Sequence, residues 1–257
     1  MHPVLIKIGF LTIHTYGLLV ALAILTALWM GSRLAKTRSI ATEKVMDLTF
    51  YAVLAGFVGA RLFYVVLNPS LFRGDWLGAL RVWEGGVVFY GGFSGALVAV
   101  LFYIRKHHLP AGEILDILAV VAPLGHAIGR VGCFFAGCCY GKPSDLAWAV
   151  TFTDPMTLAR PGIPLHPTQL YEFAANLMIF ALLFTLHRRR AFSGRLFLVY
   201  VMIYGIVRSI IEIFRGDPRG FLFDGMLSTS QAMGMTSAVV AAILLVVLHR
   251  RRNRSDR

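Results

Sequence analysis

Long unbroken apolar runs dominate the chain. Seven stand out, at Tyr16–Leu34, Asp47–Leu67, Gly86–Ile104, Ile114–Phe135, Leu170–Leu186, Leu196–Phe214 and Gln231–Leu248. Each is close to the roughly 17–25 residues that a helix needs to cross a bilayer's hydrocarbon. The runs are continuously apolar rather than alternating, which argues against a transmembrane barrel, and lipid leaves backbone amides no partner outside a helix. The pattern predicts an all-α polytopic membrane protein with seven transmembrane helices. The first run lacks a basic stretch ahead of it and a clear small-residue cleavage site after it, so it is expected to stay as a span. Residues 1–257 are read as a single membrane-embedded domain. Its one long connection, residues 136–169, is rich in Gly and Pro and is expected to form a loop or small head; segments of that length are more often functional than idle.

Composition and charge refine this picture. The 257 residues are 57% hydrophobic and only 15% charged, where a soluble chain carries about 25% charged residues. The aromatic content excludes disorder, and three cysteines are too few for a disulfide scaffold. Fifteen of the 25 basic residues fall in the loops after the first, third and fifth runs and in the C-terminal tail. Seven others, Lys7, Arg73, Arg81, Lys142, Arg160, Arg215 and Arg219, lie on the opposite side, diluted by Asp75, Glu84, Asp145, Asp154, Asp217 and Asp224. The positive-inside rule predicts a cytoplasmic C-terminus and an N-terminus outside. The net charge of +12 then reflects topology and anionic lipid, and no nucleic-acid partner is expected.

Three arginines remain, Arg61, Arg130 and Arg208, all inside apolar runs. An arginine at mid-span costs at least about 2.5–3.5 kcal/mol unless it meets a partner or a polar cavity. Glu212 lies four residues beyond Arg208, on the same helical face, while Asp116 and Glu172 are candidate partners nearer the span ends. On the predicted topology all three arginines lie toward the outer leaflet. Guanidinium forks suit phosphate, so the set reads either as a phospholipid headgroup site or as an anion pathway. Tyr204, Arg208, Glu212 and Arg215 form one polar stripe, with further hydroxyls at Tyr16 and Tyr90. Gly85, Gly86, Gly91, Gly92 and Gly95 flank Tyr90; they suit close helix packing or room for a bulky ligand.

The densest segment runs from Gly129-Arg130-Val131-Gly132-Cys133 through Gly137-Cys138-Cys139-Tyr140-Gly141. It resembles the signature of the prolipoprotein diacylglyceryl transferases. Other matching stretches are His14-Thr15-Tyr16-Gly17, Gly59-Ala60-Arg61, Tyr90-Gly91-Gly92, His166-Pro167-Thr168-Gln169-Leu170-Tyr171-Glu172, the run from Tyr204 to Arg215, and Leu227-Ser228 to Gln231. The chain departs from the family pattern at Cys133, usually Asn, at Cys138, usually acidic, and at Tyr90, usually His. His126, one turn before Arg130, is a candidate substitute for that His. The spacing of Cys133, Cys138 and Cys139 lacks the paired ligands and nearby His of a zinc site; they read as small residues near a bend, with a disulfide possible on the outside.

The resemblance implies a multi-pass enzyme of the bacterial cytoplasmic (inner) membrane, active in lipoprotein biosynthesis and protein lipidation. It would move the diacylglyceryl group of phosphatidylglycerol to the lipobox cysteine that follows a prolipoprotein signal peptide, forming a thioether and releasing glycerol 1-phosphate. Arg130 and Arg208 are then expected to hold the phosphate, with Arg61 secondary. Tyr16, Tyr204, Glu212 and Gly132 would shape and orient the site, and Tyr90 would stand in for the family's base. No cofactor, metal or nucleotide is expected. Two other readings stay open: an anion transporter or channel, and a lipid-binding member of the family without activity.

Overall fold

Seven α-helices make up most of the computed structural model of the protein, which describes residues 2–8, 11–81, 85–188, 192–217, 221–222 and 227–255. They are α1 Thr15–Thr37, α2 Thr42–Leu67, α3 Phe89–Lys106, α4 Ala111–Ala136, α5 Thr168–His187, α6 Arg195–Ile213 and α7 Thr229–Ser255. Each apolar run of the sequence coincides with one helix. The third starts late because Gly85 and Gly86 adopt left-handed φ values of +85° and +74°, a conformation glycine takes without a Cβ clash. Six of the helices are long and apolar enough to cross a membrane; α3, with 18 residues closing on Arg105 and Lys106, falls outside that group. The chain is a multi-pass membrane protein. Of the charges used to read orientation, Glu84, Arg189, Arg190, Arg219, Asp224 and Arg257 lie outside the described residues.

Burial is inverted relative to a water-soluble fold. The buried residues of α2 are Val45, Leu48 and Arg61, while Phe57, Val58, Leu62 and Val66 are exposed. Buried positions of α5 include Thr168, Gln169, Glu172 and Asn176. Lipid is as apolar as leucine, so a helix gains nothing by hiding leucine and much by hiding charge.

The chain forms two compact units, one of Met1–Met30 with Leu115–Arg257 and one of Gly31–Ile114. Within the smaller unit, glycines pack α2 against α3. A Cβ on Gly59 would strike the Gly91 carbonyl, one on Gly91 would strike the Gly59 carbonyl and Phe63, and one on Gly95 would strike the Ala55 carbonyl. Of the two roles the glycine-rich third run allowed, close backbone packing is the one these residues perform. At the other end of α2, Tyr103 donates its hydroxyl to Asp47 at 2.9 Å, and Arg38 pairs with Glu113 at 2.8 Å.

In the larger unit, three short antiparallel ribbons accompany the helices: β1 Val4–Ile8 with β2 Leu11–His14, β3 Val150–Thr151 with β4 Pro164–Leu165, and β5 Phe221–Leu222 with β6 Leu227–Ser228. Strands of two residues are too short to leave an alternating pattern in the sequence. The 136–169 segment is a folded cap around the β3–β4 ribbon. Phe152, Ala159 and Leu165 form its core, with Phe134 at the end of α4 packed against it. Asp116 accepts N–H bonds from Gly194 and Phe197, both at 3.0 Å. It thereby caps the start of α6, whose first amides have no helical partner.

Candidate active site

The polar interior of the larger unit centres on Glu172, one turn into α5 and 2% exposed. Its Oε2 lies 2.6 Å from Nε of Arg130 on α4. Its Oε1 lies 2.8 Å from Nη1 of Arg215 and 3.7 Å from Nη1 of Arg208 on α6. Glu212, one turn along from Arg208, pairs with the same Nη1 at 2.5 Å, as the stripe in the sequence suggested. Arg215, read from the sequence chiefly as an outer-loop charge, is buried, and its Nε pairs with Asp217 at 2.7 Å. Burial opposes charge on Arg215, but the Asp217 hydrogen bond and the negative charges of Asp217 and Glu172 act together with Cys139 to hold the group above its ordinary value.

These contacts leave one side of the arginines open. Arg130 meets the protein through Nε, which also donates to His126 Nε2 at 2.9 Å. Among the described residues, neither of its terminal Nη groups has a protein acceptor, and the same holds for Nε and Nη2 of Arg208. Two guanidinium groups, fixed from behind by carboxylates, thus present free donors, Arg208 from a buried setting and Arg130 from a half-buried one. His126, the candidate substitute base, has its Nε2 occupied by Arg130.

Neighbouring groups shape the walls. The Tyr204 ring lies 5.5 Å from His126 and stacks on Tyr200 at 5.7 Å. Gly132 faces Tyr16, whose ring carbon would lie 3.1 Å from an added Cβ, so the glycine admits this ring beside α4. An apolar groove of about 360 Å³ runs along α5 and α6 between Tyr171, Ala175, Ile179, Val207 and Ile211.

The signature segment earns its glycines by contact. A Cβ on Gly141 would strike His166 and approach the Phe214 carbonyl to 2.8 Å. That closeness lets Gly141 N donate to the His166 carbonyl and Lys142 N to the Phe214 carbonyl, which ties the cap to the start of α5 and the end of α6. Thr168 and Gln169 complete the tie by donating to the carbonyls of Cys139 and Cys138, each at 2.7 Å. Between these carbonyls the chain turns left-handed, at Gly137 (φ +72°) and Cys139 (φ +62°). The turn brings the Sγ atoms of Cys133, Cys138 and Cys139 within 4.8 Å of one another, a convergence that the spacing in the sequence gave no reason to expect. Hydrogen bonds from the Cys133 and Cys138 thiols, with help from Arg215 and Arg130, pull the Cys139 thiol down, while those to Cys133 and Cys139 push Cys138 up.

Arg61 and Tyr90 belong to the smaller unit, and their settings differ from the expectation. Arg61 Nε donates to the Ala79 carbonyl, Nη1 to those of Gly85 and Gly86, and Nη2 to those of Gly78 and Arg81. Its guanidinium also lies 5.5 Å from the Tyr64 ring centre. Every nitrogen is spent on main chain, so the residue organises the loop before α3 rather than offering a fork to phosphate. Tyr90 is about half exposed, at 52%, beside Phe89.

A profile of the prolipoprotein diacylglyceryl transferase family matches residues 3–247 of the chain. Among similar proteins, a phosphatidylglycerol–prolipoprotein diacylglyceryl transferase of Clostridium tetani is 34% identical over 93% of this chain and 95% of its own. One from Parasynechococcus marenigrum is 36% identical over 96% of this chain and 90% of its own. One from Symbiobacterium thermophilum is 34% identical over 97% and 93%.

Proposed function

The chain belongs to the prolipoprotein diacylglyceryl transferase family, and from that premise we propose that it carries the diacylglyceryl group of phosphatidylglycerol to the lipobox cysteine of prolipoproteins. It is a membrane-embedded transferase of lipoprotein biosynthesis. All seven helices cross the bacterial cytoplasmic membrane, with the N-terminus outside, which sets Arg130 and Arg208 in the outer half of the bilayer. The observation that carries the reading is the pair of guanidinium groups, Arg208 buried and Arg130 half-buried, held by Glu172 and Glu212 with donors left open.

In the reaction the cysteine sulfur forms a bond to the glycerol carbon, the bond from that carbon to the phosphate oxygen breaks, and glycerol 1-phosphate leaves with the electron pair. The phosphodiester has one negative charge and the departing monoester gains another. Fixed guanidinium donors in a dry site therefore bind the transition state better than the substrate. Arg130 and Arg208 fill this role. Glu172 and Glu212 keep them oriented, and Tyr204 and Tyr16 line the approach. Gly132 makes room for Tyr16. The groove along α5 and α6 accommodates an acyl chain. The thiol proton has to leave before attack; a free cysteine has a pKa of about 8.5, so a modest base is enough, and Tyr90 in its phenolate form takes that proton and becomes the neutral phenol. Arg61 acts at one remove, by fixing the loop ahead of α3.

Purified protein in phosphatidylglycerol vesicles, given a lipobox peptide, should form the thioether-linked lipopeptide, detectable by mass. Arg208→Ala should insert normally and form almost none. Wild-type transfer by that variant would overturn the phosphate role.

A further inference from the structure

The three thiols at the C-terminal end of α4 have no part in the transfer reaction, yet they are built into a turn held by several hydrogen bonds. Cys133 closes from the last turn of α4, and the chain returns to it through a bond from Cys138 N to the Cys133 carbonyl at 3.1 Å. Cys139 reaches the same point from a left-handed backbone position that few non-glycine residues adopt. The carbonyls of Cys138 and Cys139 are fixed by Gln169 and Thr168, 1% and 0% exposed. All three cysteines are half-buried and unpaired by disulfide.

We propose that Cys133, Cys138 and Cys139 form a three-sulfur site for a soft monovalent cation, copper(I). Thiolate ligands select soft ions, copper(I) and zinc foremost. Zinc takes four ligands in structural sites and three plus water in catalytic ones. Among the described residues no His, Asp or Glu joins the three sulfurs. Copper(I), a closed-shell ion, is content with three sulfurs in a plane. At a metal–sulfur distance of roughly 2.3 Å, such a triangle has sides of ~4 Å, so sulfurs already within 4.8 Å need to close only slightly. Binding displaces the thiol protons into solvent, and no electron transfer is involved.

The test uses the full-length protein in detergent, reduced and free of oxygen, titrated with copper(I) against the chelator bathocuproine disulfonate. One copper per chain should resist the chelator, with only sulfur in its first shell by X-ray absorption. Cys139→Ser should weaken retention at least a hundredfold. In the unsubstituted chain, one equivalent of copper(I) should also protect all three thiols from maleimide, a readout that does not depend on how a variant folds. Complete stripping by the chelator, or equal retention after replacing all three cysteines with serine, would overturn the site. So would an intact mass two hydrogens lighter after purification without reductant, because that marks a disulfide. None of these readouts requires transferase activity.

Discussion

Arg61 and the pair Arg130 and Arg208 are alike in the sequence: each is a guanidinium deep in an apolar run. Their surroundings in the fold are opposite. Arg61 is enclosed by five carbonyl oxygens from residues 78–86. Arg130 and Arg208 are held on one side by Glu172 and Glu212, with the other side left open. Carbonyls supply only partial charge, so many are needed and together they use up the donors. A carboxylate supplies a whole charge through one or two contacts, which lets the rest of the fork face a ligand. Arginines of the same chemistry thus have their donors used up or left free according to the kind of acceptor behind them.

That contrast breaks most sharply at the open pair. Arg130→Ala or Arg208→Ala should lower transfer at least ~100-fold, the scale of losing a preorganised donor to developing charge, with insertion intact by protease protection. Near-normal transfer by either would make the two classes of arginine equivalent. Next comes the carboxylate behind them. Glu172→Ala leaves three guanidinium groups short of their shared partner, and breaking a buried pair costs about 3–5 kcal/mol. The expected sign is a marked fall in Tm together with loss of transfer, whereas Glu172→Gln should recover part of the Tm and little of the activity. Arg61→Lys removes the planar fork but keeps the charge. Its five carbonyls should lose order, seen as faster protease cleavage within 78–86, with transfer reduced only several-fold; a loss as deep as that of Arg208→Ala would put Arg61 back among the phosphate ligands. Smallest is Tyr90→Phe, which should slow transfer several-fold and flatten its rise with pH if the Tyr90 phenolate takes the thiol proton. An unchanged profile would assign that proton elsewhere.

Much of this was legible in the sequence because lipid imposes simple rules. Apolar length marked all seven helices, and the four-residue spacing of Arg208 and Glu212 foretold their pair. Glu172 was harder to read. Its position near a span end looks solvated, yet Arg130 from α4, Arg208 from α6 and Arg215 beyond α6 converge on it and make it the centre of the network. Arg215 was obscured for the same reason, since counting loop charges treats every residue beyond a span as wet. Asp116 was read only as a candidate partner for an arginine, and its bonds to Gly194 and Phe197 show that it also caps α6. The meeting of the three thiols depends on two left-handed residues, and a non-glycine residue such as Cys139 gives no outward sign of such a backbone.

Helix α5 grips the turn at residues 138 and 139 through carbonyl oxygens. Every amino acid brings that atom, so the grip is indifferent to which side chain hangs from it. Anchoring and chemistry are thereby uncoupled at this corner of the protein. Sulfur can therefore hang from this turn while the helix keeps its hold, and a change of side chain there carries little structural risk.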